Sequence, residues 1–213
     1  MNFSHTTNRS ISPWTQFITN TNINLQLDQS LNQLATPNVL QNRDSLLNLW
    51  FNDPTSELLK GDAVFDRELL EQIKRDTDMW RSPWHGLEHW SRVMDNGLRL
   101  APDTGADADI IPYFALLHDC CRHDEYEDPE HGPRAAFYAK RHRNLINLSD
   151  YQFHILVRAC AGHTHGLPGC KAGENPTIAT CWDADRLDIG RVGLTVDERY
   201  LFTKAAKARA RRL

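Results

Sequence analysis

The chain has 213 residues, 40% hydrophobic and 24% charged, with a formal net charge of -4 at pH 7. That length suffices for one domain with its own core, and the mild acidity excludes a uniformly basic coat for nucleic acid. Its five cysteines form no CxxC pairs, which argues against a disulfide framework and for a reducing cytoplasm.

Residues 1–43 are rich in Asn, Gln, Thr and Ser, and only Arg9 and Asp28 carry charge before Arg43. So polar a segment buries too little to fold alone, and it is expected to be a mobile arm with a short helix around 25–34. It lacks the basic start and apolar stretch of a secretory signal, and no apolar run in the chain is long enough to cross a bilayer. A helical domain is expected over 44–213. Leu46, Leu47, Leu49 and Trp50 begin an apolar face that Asp53-Pro54 ends. Asp66 reads as the cap of a helix carrying Leu69, Leu70 and Ile73.

His89, Val93, Gly97 and Leu100 follow a helical period that Pro102-Asp103 closes. Asp109 is placed to cap a short apolar helix, Ile110 through Leu117, which runs straight into His118-Asp119. His131 opens another helix, and Asp150 is expected to cap the next. Residues 166–176 read as a loop and Pro176 as the start of a helix through TIATCWDADRLD. A basic, alanine-rich helix is expected over 196–213. With no strand-like alternation and no internal repeat, the architecture is expected to be all-α.

Nine of the ten histidines fall between His85 and His165. His85 and His89, four apart, are expected on one side of a single helical turn. His118 and Asp119 follow an apolar helix whose packing would hold them firmly, and Asp185 sits in another apolar-flanked segment. Two imidazoles and two carboxylates make a mixed nitrogen–oxygen pocket. It suits one divalent cation, manganese, iron, cobalt, zinc or magnesium, better than a thiolate-loving ion.

The three segments HGLEHWSRV, ALLHDCCRHDE and CWDADRLDIG stand in the order H…HD…D. In that order the chain resembles the HD-domain superfamily of metal-dependent phosphohydrolases over 84–190. The resemblance implies an HD-domain helical bundle around a buried metal site. It implies His89, His118, Asp119 and Asp185 as metal ligands, with His85 and Asp183 as outer groups supporting the ligands or facing substrate. His131 and His163 match the histidines with which dinuclear relatives hold a second ion, or they contact phosphate beside a single one; His165 fits less well. Asp119 would also orient or deprotonate water, and Arg122 would meet a phosphate, with Arg92 or Arg186 in support. Where relatives carry glycine after the doublet, this chain has Cys121, which is expected to pack with Cys120 as a small hydrophobe.

The implied activity is hydrolysis of a phosphoester or phosphoanhydride of a small molecule, a nucleotide by family inference. Two other readings stay open: an HD-fold di-iron oxygenase, and a non-catalytic sensor or binding module. No membrane or nucleic-acid partner is expected, and self-association is left open. The basic tail (Lys204, Lys207, Arg209, Arg211, Arg212) is read as complementing its own helix dipole.

Overall fold

A computed structural model describes residues 67–213. The arm over 1–43, the helix around 25–34, the apolar face of 46–50, the Asp66 cap and the domain start at 44 lie outside the described residues.

Among the described residues every regular element is helical: α1 (Arg67–Asp76), α2 (Leu87–Thr104), α3 (Ile110–Leu117), α4 (His131–Arg141), α5 (Asp150–Gly162), α6 (Pro176–Arg186) and α7 (Lys204–Ala210), with short 3₁₀ turns between them. The middle of the bundle is α3, whose sequence IIPYFALL is apolar on every side. All of its residues are buried, as expected of a helix without a polar face. Each large side chain it takes out of water contributes about 1.5–3 kcal/mol, enough together to fix a short helix in place. The two residues that follow, His118 and Asp119, are carried inside with it, at 0% and 2% exposure.

Helix α2 crosses α3 closely at Gly97, where an added Cβ would lie 2.6 Å from Ile111 Cγ2. Asn96 Nδ2 donates to the Ala184 carbonyl at 3.2 Å, tying α2 to α6. Trp182 of α6 is 1% exposed and donates through Nε1 to the Ala159 carbonyl of α5 at 2.8 Å. The elements bearing His89, His118, His163 and Asp185 are thus packed on one another.

Several local expectations are corrected. Helix α2 starts at Leu87 with Gly86 as its cap, so His85 sits on the preceding turn rather than on the helix. A Cβ at Gly86 would lie 2.4 Å from the Ser82 carbonyl oxygen, and the chain folds back there because that atom is missing. At its other end α2 runs past Pro102 to Thr104. The proline forfeits one backbone bond, but the left-handed Gly105 (φ 72°) donates to the Ala101 carbonyl at 3.0 Å and finishes the turn.

Asp109 stands at the cap of α3 but makes no side-chain capping bond. Helix α5 is capped by Ser149, not Asp150: Ser149 accepts from the Gln152 amide while Gln152 returns to the Ser149 amide. The expected helix over 196–213 is confined to Lys204–Ala210, with a 3₁₀ turn at Glu198–Tyr200 before it. Asp183 of α6 causes this. It accepts from the amides of Phe202 (2.7 Å) and Thr203 (2.8 Å) and from the Thr203 hydroxyl (2.7 Å), which draws those amides out of any helical ladder.

Candidate metal centre

Four buried imidazoles each spend one ring nitrogen on a protein oxygen. His89 Nδ1 donates to Asp188 Oδ2 at 2.8 Å. His118 Nδ1 faces the carbonyls of Ala115 at 3.0 Å and Phe114 at 3.2 Å. His163 Nδ1 donates to the Cys160 carbonyl at 2.8 Å, and His131 Nδ1 to that of Asp128. A carbonyl or carboxylate partner requires an N–H, so each ring in its neutral form keeps a lone pair on Nε2.

Those lone pairs converge. His89 Nε2 lies 3.0 Å from His118 Nε2, and His131 Nε2 lies 2.7 Å from His163 Nε2. Two acceptors at that separation repel each other unless a proton or a cation sits with them.

Asp119 stands between the two pairs. Its Oδ2 is 3.6 Å from His89 Nε2 and 3.7 Å from His118 Nε2. Its Oδ1 is 3.1 Å from His131 Nε2 and 3.6 Å from His163 Nε2. Asp185 Oδ1 adds a further oxygen to the first group, 3.3 Å from His89 Nε2. Ligand atoms of His89, His118 and Asp185 lie within 4.8 Å of one another, and so do those of Asp119, His131 and His163. Each group therefore has the nitrogen–oxygen donors and the spacing to surround a divalent ion.

The electrostatics keep these donors available. Burial pushes His118 down to about 3, with the neighbouring carboxylates only partly opposing it, so it is neutral and ready to ligate. Burial opposes ionisation of Asp119 and Asp185, yet the surrounding imidazoles, joined at Asp185 by Arg191, hold both carboxyls well below their usual range. Burial would lower His89, but its bonds to Asp185 and Asp188 overrule that and raise it. A proton on His89 Nε2 would occupy the place a cation takes, so metal and proton compete there.

His85 is 7% exposed and donates through Nδ1 to Asp119 Oδ2 at 2.8 Å, so it faces the centre from the turn before α2. Arg122, on the loop after the doublet, lies 3.1 Å from His131 Nδ1 and 3.8 Å from Asp119 Oδ1. It is held from behind by the Asp124 and Tyr126 carbonyls.

Other expected residues are elsewhere. Asp183 does not join the pocket: two positions from Asp185 on a helix, it faces away and holds the C-terminal segment. Arg186 is spent on the backbone carbonyls of Tyr200, Gly166 and, at 3.5 Å, His163. Arg92 pairs with Asp188 at 2.7 Å. His165 is exposed. Cys120 is buried and Cys121 only half-buried, with sulfurs 3.6 Å apart and both thiols free.

Two residues go unmarked as site groups in the sequence: Asp188, which holds His89, and Arg191, whose Nη2 lies 3.9 Å from Asp185 Oδ1. The signal for both is the three-residue spacing Asp185, Asp188, Arg191. The chain leaves α6 into a 3₁₀ turn, Ile189–Val192, and at about three residues per turn such positions share a side.

No protein-family model matches the chain, and no curated protein matches it. Among solved structures it is similar to a predicted HD superfamily hydrolase from an uncultured Thermotogales bacterium. The two are 25% identical with a TM-score of 0.53, and the match covers 68% of this chain and 83% of the other. The chain has the HD-domain fold.

Proposed function

We propose, from the HD-domain fold and the pocket it carries, that the protein is a metal-dependent hydrolase of a phosphoester or phosphoanhydride. Its substrate is a small phosphorylated molecule, a nucleotide by resemblance, and its place of work the cytoplasm. The observation that carries the reading is the convergence of Nε2 lone pairs on two sides of Asp119. His89, His118, Asp185 and Asp119 Oδ2 would hold one ion; His131, His163 and Asp119 Oδ1 would hold another. An imidazole-rich set of this kind favours manganese, iron, cobalt or zinc over magnesium.

When bound, a divalent ion lowers the pKa of a water and polarises a phosphoryl oxygen. The chain's own residues supply the rest. The Asp119 carboxyl, held below its usual range by the surrounding imidazoles, offers one oxygen to each group. Lying between the two groups, it would position the ions and the water. His85 fixes the Asp119 carboxylate through its Nδ1 proton. Arg122 presents a guanidinium N–H toward the second group, where it can neutralise phosphoryl charge. That buried positive charge supports a phosphoryl substrate over the oxygenase reading, which would use the same imidazoles and carboxylates. The intact, convergent donor set supports catalysis over a sensor role.

The test is phosphate release from a panel of phosphomonoesters and nucleotides, using protein stripped by chelator and reloaded with manganese, cobalt, zinc or magnesium. Turnover is expected with manganese or cobalt and should be lost in Asp119→Ala. Undiminished turnover by that variant, or wild-type protein that takes up no metal, would overturn the assignment.

A further inference from the structure

The mostly buried guanidinium of Arg191 is held from behind by two backbone carbonyls. Nε donates to the Trp84 carbonyl at 2.8 Å, and Nη1 to the Asp188 carbonyl at 3.2 Å. The side chain is 9% exposed. The polar atoms near Nη2 are His85 Nδ1 at 3.4 Å, Asp185 Oδ1 at 3.9 Å and Asp119 Oδ2 at 4.0 Å. His85 Nδ1 is itself a donor, committed to Asp119 at 2.8 Å, and both carboxylate oxygens are beyond hydrogen-bond reach. Among the described residues Nη2 thus has no good acceptor within hydrogen-bond reach.

The charges sharpen the point. Asp119 and Asp185 are the anions nearest this guanidinium, and both are carboxylates that a cation at the first group would claim. With that cation in place Arg191 faces added positive charge, which an anionic ligand would offset. Arg122 stands in the same relation to the second group: its Nη1 meets His131 Nδ1, a ring nitrogen already donating to the Asp128 carbonyl.

We propose that Arg191 is a substrate-binding residue that takes a phosphoryl oxygen on the His89–His118 side of Asp119, complementing Arg122 on the other side. The inference rests on the phosphohydrolase reading and adds to it a specific residue and a specific demand. The bound group must offer anionic oxygen at both groups. Fixing the guanidinium by two backbone carbonyls prepays the ordering of a long side chain, so the forward N–H pair binds without that cost. Lysine cannot do the same, because one ammonium cannot reach both carbonyls and the pocket together.

The experiment titrates inorganic phosphate into manganese-loaded protein by calorimetry, with bound manganese counted by elemental analysis. In Arg191→Gln, phosphate binding should weaken about tenfold or more while manganese content stays at the wild-type value; Arg191→Lys should fall between. Equal phosphate affinity in Arg191→Gln at equal manganese content would overturn the proposal and leave the hydrolase reading intact. Wild-type protein that holds manganese but ignores phosphate would sink both. If the variants misfold or fail to load manganese, a crystal structure of the wild-type protein with manganese and phosphate decides. A phosphate oxygen hydrogen-bonded to Arg191 Nη2 supports the role; Nη2 facing protein atoms alone refutes it.

Discussion

At the scale of single residues, the centre depends on which ring nitrogen each histidine keeps free. Nothing in HGLEHW or LLHDC reveals that choice; it is made by oxygens brought alongside, Asp188 for His89 and two helix carbonyls for His118. The two cases differ in strength. A backbone carbonyl cannot be mutated away, whereas Asp188 can, and its carboxyl is held below the usual range, against burial, by His89 and Arg92. Asp188→Ala should therefore weaken metal binding about 10- to 100-fold, read by competition with a chelating dye. Asp188→Asn, which keeps an acceptor but loses the charge, should lose less. Unchanged affinity in Asp188→Ala would mean that His89 needs no orienting partner.

At the scale of elements, packing between helices decides whether the ligands meet. His163 caps α5 and Asp185 lies near the end of α6, and the two helices are locked where Trp182 lies against Gly162. A Cβ at Gly162 would stand 2.6 Å from Trp182 Cζ2, and the ring cannot retreat because its Nε1 is bonded to Ala159. Replacing glycine by alanine in a helix is worth about 1 kcal/mol in favour of folding, whereas overpacking a core costs about 1–3 kcal/mol. Gly162→Ala should thus come out destabilising in urea denaturation, by about 1 kcal/mol. A gain in stability would show that the α5–α6 contact has slack.

At the scale of the whole molecule, the buried imidazoles couple folding to pH. His118 titrates near 6.5 when unfolded and at about 3 when folded. Between those values the unfolded chain binds a proton that the folded one refuses, so stability falls as pH drops from about 6.5 toward 3, by up to about 1.4 kcal/mol per unit. His89, raised by folding, works in the opposite sense: its contribution is complete below 6.5 and is lost as pH rises through its folded value. Metal-free His118→Asn should therefore show a shallower loss of melting temperature between pH 6.5 and 4 than metal-free wild type. Parallel slopes would argue that His118 is hydrated rather than buried.

Much of the architecture is written locally. Helical spacing and the all-apolar run before His118-Asp119 announce an all-α chain that carries its doublet inside, because a helix without a polar face can go nowhere else. The candidate residues His89, His118, Asp119 and Asp185 are picked out by the order H…HD…D and the HD-domain resemblance it carries, which also points to His131 and His163. Which of them face one another is a tertiary fact. Asp183 and Asp185 look equivalent in CWDADR, but two positions on a helix point apart. One therefore reaches the pocket while the other pins Thr203. Arg191 and Asp188 enter the site only because the chain tightens into a 3₁₀ turn after α6, and three-residue spacing gains meaning only when that turn exists. The sequence determined which side chains were available and which helices would be buried; long-range packing decided which atoms of those side chains converge.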